Sequence, residues 1–321
     1  MALNPSISVV RMFAMCSIVA CHVLQRFSNP LAFWFNGGVQ IFLVVSGYLY
    51  GSRRVENPLG FILRNWCKVL VPCWVFLLCA FVGFYCFGFE LPKGVKLARV
   101  LLLADTVPGL GHLWFISNIL FCYMMVPLFY CLKQSLMRMN EWCFILSVSL
   151  IVLVIVAIGF AYCPFVKPSS LVCFVVGYYL AAFHEIFKDD SRGRARCEVG
   201  LVLIGVCALL CRIMYEMSPW HGSFGRLYLS CFPYVKAAIG IAIFLVLKRY
   251  VSCPYNFVLK FSDRYSYTIY LTHHIFILGP LSIIGSFWTT NIIAVMAVII
   301  SAVLLKELTN PIIATLTSKL K

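Results

Sequence analysis

The sequence predicts an all-α integral membrane protein of about ten transmembrane helices with both termini in the cytoplasm. Three observations predict it. Of 321 residues, 62% are hydrophobic and 12% charged, too apolar for a water-soluble packing of a chain this long. The apolar residues fall in runs close to the roughly 20 that one helical span requires. The basic residues behind the net charge of +15 sit in short connections between those runs, where positive charge sets orientation. No stretch remains for a sizeable soluble domain, so residues 1–321 are read as one transmembrane domain. A secreted protein, a disulfide scaffold and a nucleic-acid-binding module are excluded.

Apolar runs between polar breaks place spans at about 6–27, 37–52, 69–88, 111–131, 142–161, 170–187, 199–217, 227–247, 266–284 and 291–309. The first is kept as a helix: no basic residue precedes Arg11 and no small-x-small cleavage site follows, as a signal peptide would need. Counting Lys and Arg on alternate sides gives sixteen on one side, including Arg53, Arg54, Lys188 and Arg192, against six on the other. The richer side is cytoplasmic, so both termini lie there in a multi-pass protein surrounded by the lipid bilayer; the inner (plasma) membrane is its expected location. The longest outward connection, 89–110, carries Glu90, Lys93, Lys96, Arg99 and Asp105 around an amphipathic middle from Val95 to Leu103. It reads either as a binding surface for a hydrophilic acceptor or as an interfacial helix resting on the bilayer. The sixteen cysteines include no C-x-x-C pair and lie mostly inside apolar stretches. They read as small hydrophobes, and no metal is expected.

Ionisable groups inside spans cost several kcal/mol unless they face a cavity or a partner. Arg11 and His22 are eleven residues apart in the first span. Eleven helical steps come to about 20° past three turns and rise about 16.5 Å, so both project from one face without touching. Such a pair suits a long anionic substrate threading from the cytoplasm to a reacting group in the membrane. Each residue alone also has a plainer reading: His22 bonded to a neighbouring helix, Arg11 snorkelling to the interface. After the second span come Arg53, Arg54, Arg64 and Lys68. Arg64 and Lys68, four apart, share a face if that segment is helical. They read as a phosphate-binding cluster or as a positive-inside signal. Ser266, Tyr267, Tyr270, His273 and His274 cluster at the start and middle of the ninth span, with Tyr270 and His273 neighbours on one face, and His112 and Trp114 open the fourth. None of the eleven carboxylates lies at the middle of a span, which argues against an ion-coupled transporter.

Several strings together resemble the membrane-bound acyltransferase 3 family, the O-acyltransferases of bacterial surface polysaccharides. Arg11-x10-His22 is similar to the family's signature in its first helix. Gly38-Val39-Gln40-Ile41-Phe42 followed by Ser46-Gly47-Tyr48-Leu49 resembles its second helix, and Phe61 to Pro72 its basic approach to the third. Gly111-His112-Leu113-Trp114-Phe115 with Tyr123 and Pro127, Gly177-Tyr178-Tyr179-Leu180, and Ser266 to His273 resemble three further segments, in order along the chain. Two positions depart from the pattern. Gln40 stands where an aspartate is common, and Lys68 where many members have the second arginine of Arg-x-x-Arg, displaced by one residue.

The resemblance implies an acyl-CoA donor in the cytoplasm and a carbohydrate hydroxyl outside, with no bound cofactor and acetyl-CoA as the default co-substrate. It implies His22 as general base or transient acyl carrier and Arg11, Arg64 and Lys68 as donor-binding residues. Ser46, His112, Trp114, Tyr270 and His273 would then position substrates. A transporter or flippase for a glycan or lipid-linked sugar, and a non-enzymatic partner in a glycan-synthesis complex, are the competing readings. The oligomeric state, a homo-oligomer included, is not legible.

Overall fold

The structure, a computed structural model, describes residues 5–160, 166–218, 222–251, 253–285 and 287–320. Residue 161, the expected end of the fifth span, and Lys321, counted on the basic side, lie outside them. The described residues form helices and no strands: α1 (Pro5–Arg26), α2 (Ala32–Phe35), α3 (Gly38–Gly51), α4 (Pro58–Cys86), α5 (Gly94–Leu101), a 3-10 turn (Gly111–Leu113) running into α6 (Trp114–Leu136), α7 (Glu141–Phe160), α8 (Pro168–Ile186), α9 (Ser191–Met217), α10 (Gly222–Tyr250), α11 (Phe257–Ile277) and α12 (Trp288–Ser318). Nine segments among the described residues are long and apolar enough to cross a membrane: α1, α2 with α3, α4, the turn with α6, and α7, α8, α9, α10 and α12.

Two departures from expectation bear on the candidate residues. α4 begins at Pro58 instead of 69, because Asn57 caps it: its side chain accepts from the Gly60 N–H at 2.9 Å, with proline at the first helical position. Arg64 and Lys68 therefore lie inside α4, one turn apart. α11 covers 257–277, not 266–284, and is not among the nine. Lys260, Asp263 and Arg264 in its first half make it too polar for a lipid-facing span. Its middle is instead enclosed by protein: Ser266, Thr268, Thr272 and His273 are buried. Hydroxyls along this helix bond within the protein: that of Thr272 donates to the Thr268 carbonyl at 3.0 Å and that of Tyr267 to the Val69 carbonyl at 2.8 Å. A helix shielded from lipid can carry such groups as interhelical bonds.

The chain packs as two compact units, neither contiguous in sequence: Met1–Ala14, Gly37–Arg54 and Met125–Leu259 form the first, and Met15–Asn36, Val55–Met124 and Lys260–Lys321 the second. In the first unit α8 is central. α3 packs on it backbone to backbone: a Cβ on Gly47 would lie 2.0 Å from the Phe174 carbonyl oxygen, and one on Gly177 would lie 2.2 Å from that of Val44. Small residues are what allow helices to approach this closely. α7 leaves Trp142, Leu146, Leu150 and Leu153 exposed, an apolar surface that suits lipid. Asp190 caps α9 by accepting from the Gly193 N–H at 2.9 Å, and that bond holds its carboxyl below the usual range. In the second unit α4 packs with α12, and α11 joins α12 through Ile269, Val298 and Ala302.

Candidate functional site

The second unit gathers four histidines from three parts of the chain: His22 of α1, His112 of the 3-10 turn, and His273 and His274 of α11. The His22 ring centre lies 5.2 Å from that of His273 and 4.8 Å from that of His274. His112 stacks on His274 at 4.6 Å and meets His273 at 5.4 Å. His112 and His273 are buried; Tyr270 and Phe76 border His112, and Phe115 packs on Tyr270. The Tyr270 hydroxyl donates to the His112 carbonyl, tying the turn to α11.

Each ring is held by an oxygen that can only accept. His22 Nδ1 faces Gln25 Oε1 at 2.8 Å, one helical turn along α1. His112 Nε2 donates to the Leu271 carbonyl at 3.0 Å. His273 Nδ1 donates to the Tyr270 carbonyl at 2.7 Å, and His274 Nδ1 to the Gly109 carbonyl at 2.8 Å. Every proton of the neutral rings is thereby committed, and the opposite nitrogen of each carries a lone pair. His22 thus has a basic Nε2 in the tautomer a general base or nucleophile needs, oriented by a neutral amide where a triad would use a carboxylate. Among the described residues no carboxylate bonds to any of the four rings.

Gly109 is shaped for its part. Its φ is +84°, and a Cβ there would lie 2.1 Å from Pro280 Cδ, so only glycine fits where its carbonyl meets His274. Val107 and Pro108, just before it, line a cleft of about 780 Å³ together with Tyr85, Phe89, Lys93 and Lys96. The 89–110 connection, read from sequence as an acceptor surface or an interfacial helix, therefore forms a wall of a cleft joined through Gly109 to the histidines.

The remaining expected residues are distributed as follows. Arg11 shares the continuous helix α1 with His22, on the stretch that belongs to the first unit. Ser46 is also in the first unit, where its hydroxyl donates to the Phe42 carbonyl of its own helix at 2.8 Å. Arg64 and Lys68 are in the second unit, and Arg64 Nε donates to the Gly60 carbonyl at 3.1 Å. Trp114 opens α6, edge to face with Phe115 at 6.5 Å. Gln40 is buried in the first unit, its Oε1 without a bonding partner.

Sequence reading missed Gln25 and gave His274 no role of its own. Gln25 is three residues from His22, the spacing of neighbours on a helix face. His274 follows His273 directly, which on an isolated helix points it elsewhere, so spacing held no signal for it. A charge cluster in the first unit was also missed: Glu198 meets His184 at 3.1 Å, Arg249 at 3.2 Å and Lys248 at 3.5 Å. Lys133, counted only for orientation, is buried and bonds Glu185 at 2.7 Å and the Gly51 carbonyl at 2.9 Å.

No curated protein and no solved structure matches the chain significantly. A family model described as an acyltransferase domain matches residues 4–306, spanning every residue of the histidine cluster. The chain therefore belongs to this acyltransferase 3 family and is a membrane acyltransferase.

Proposed function

We propose that the protein is an integral membrane O-acyltransferase of the inner (plasma) membrane. It moves an acyl group, acetyl by default, from cytoplasmic acyl-CoA to a hydroxyl of an extracytoplasmic carbohydrate. The observation that carries this reading is the His22–Gln25 bond, which leaves a basic nitrogen at His22 Nε2 inside a family of acyltransferases. The acceptor hydroxyl gives its proton to Nε2 while its oxygen bonds the thioester carbonyl carbon. The carbon–sulfur bond breaks, and the proton passes to sulfur, so coenzyme A leaves as the free thiol. In the two-step variant His22 carries the acyl group before the hydroxyl takes it.

Arg11, Arg64 and Lys68 neutralise the phosphates of coenzyme A in this scheme, supported by the one-turn spacing of the latter two on α4. His112, Tyr270 and His273 position the acceptor, supported by the contact of His273 with His22 and those of His112 and Tyr270 with His273, and Ser46 and Trp114 are assigned to substrates by resemblance. The cleft beside Gly109 receives the carbohydrate. The test is transfer of labelled acetyl from acetyl-CoA to surface glycan by the purified protein in lipid nanodiscs. Label recovered as carbohydrate ester supports the proposal. Transport of glycan without consumption of acetyl-CoA would replace it with the transporter reading.

A further inference from the structure

His112 Nδ1 and His273 Nε2 are buried and have no bonding partner within the protein. Buried polar atoms are almost always paired, so two in one cluster call for an explanation. Their chemistry is settled by the opposite nitrogens, which give their protons to backbone carbonyls. A carbonyl oxygen cannot donate, so both orphaned atoms are lone-pair acceptors, as are Nε2 of His22 and of His274. The cluster in its neutral form therefore offers four acceptors and no ring N–H. Carboxylate, phosphate or carbonyl oxygens would face lone pairs there, whereas O–H and N–H groups would be bound.

Resting on the proposed function, we infer that the acceptor enters as a pair of donors. The hydroxyl to be acylated donates to His22 Nε2, and a free hydroxyl on the adjacent carbon donates to His273 Nε2. Each reaches its nitrogen over an ordinary hydrogen bond of about 2.8 Å, and together they span rings whose centres are 5.2 Å apart. An acceptor with the second hydroxyl pairs the orphaned His273 Nε2, whereas one without it leaves that atom unpaired and forgoes the bond, a difference that a buried site makes large. The consequence is chemical specificity: the enzyme acylates a free vicinal diol once, and its product, with one of the two hydroxyls esterified, is refused.

The experiment compares cis-cyclohexane-1,2-diol with cis-2-methoxycyclohexanol as acceptors, at equal concentration with acetyl-CoA. Sites built to bond a substrate hydroxyl discriminate strongly against its absence, so the diol should be acetylated at least about 10-fold faster and yield only the monoester. His273→Phe, which keeps an aromatic ring and loses the nitrogen, should bring the ratio near one. His273→Gln, whose amide oxygen accepts again, should restore part of it. The ratio is measured within each protein, so a change in total activity does not move it. Transfer to the diol no faster than to the monomethyl ether, formation of diester, or an unchanged ratio in His273→Phe overturns the inference. Absence of acetyl-CoA consumption with both probes and with native glycan would instead remove the proposed function.

Discussion

His22 of α1 and His274 of α11, far apart in sequence, meet edge to face with ring centres 4.8 Å apart. The contact places the candidate reacting residue of α1 in a group of imidazoles, two of which hang on the carbonyls of the Gly109–Leu271 framework.

If His22 is base or acyl carrier, His22→Ala leaves the protein inserted and able to bind donor, yet lowers transfer by at least about 10²-fold. His273→Ala, which removes a positioning group, has a smaller effect. Only the neutral imidazole accepts a proton, so wild-type transfer rises with pH as His22 deprotonates. Near-normal acylation of acceptor by folded His22→Ala would end the assignment.

Gln25 fixes the His22 tautomer. Gln25→Leu frees Nδ1, lets the ring turn and lowers kcat by about 10-fold or more, by analogy with the loss of the partner that orients a metal-bound imidazole. Gln25→Glu keeps an acceptor for Nδ1–H and retains more activity than the leucine variant. Equal rates for wild type and Gln25→Leu would show that the bond does not orient the base.

Arg11→Ala should weaken coenzyme A binding, read by calorimetry on protein in nanodiscs. Arg11→Lys should recover only part, because lysine keeps the charge and loses the planar fork. Unchanged affinity in both variants would leave Arg11 a topological role alone.

The sixteen-to-six charge asymmetry predicts that cysteines introduced at 53–65 and 188–196 react only with reagents that reach the cytoplasm. Cysteines at 92–108 should be labelled from outside. The reverse pattern would take away the cytoplasmic donor site.

Gly109→Ala places a Cβ against Pro280 at positive φ. The expected cost is about 1–3 kcal/mol, seen as a lower unfolding temperature in detergent, and transfer falls further because the His274 carbonyl partner moves. Gly88, also at positive φ but with open space around it, is the matched control: Gly88→Ala carries the backbone strain without the clash and costs less.

Composition alone determined that the chain is helical and membrane-embedded, because hydrocarbon leaves helical spans as the way to satisfy the backbone of such apolar runs. Local spacing determined the shared face of Arg11 and His22 and the one-turn separation of Arg64 and Lys68, since both follow from 3.6 residues per turn. The Asn57-Pro58 start of α4 was written in the sequence as well, as a cap followed by a first-turn proline. Only the tertiary structure decided that α11 is enclosed by protein, because hydropathy cannot distinguish a polar helix shielded by neighbours from one that is no span. Only it stacked His112 on His274 and set His274 beside His22, since those contacts depend on how separate helices pack and no periodicity encodes them. The tautomers came the same way: which ring nitrogen keeps its lone pair was settled by backbone carbonyls of Gly109, Tyr270 and Leu271 and by the amide of Gln25, groups that acquire this meaning only once folding sets them within bonding distance.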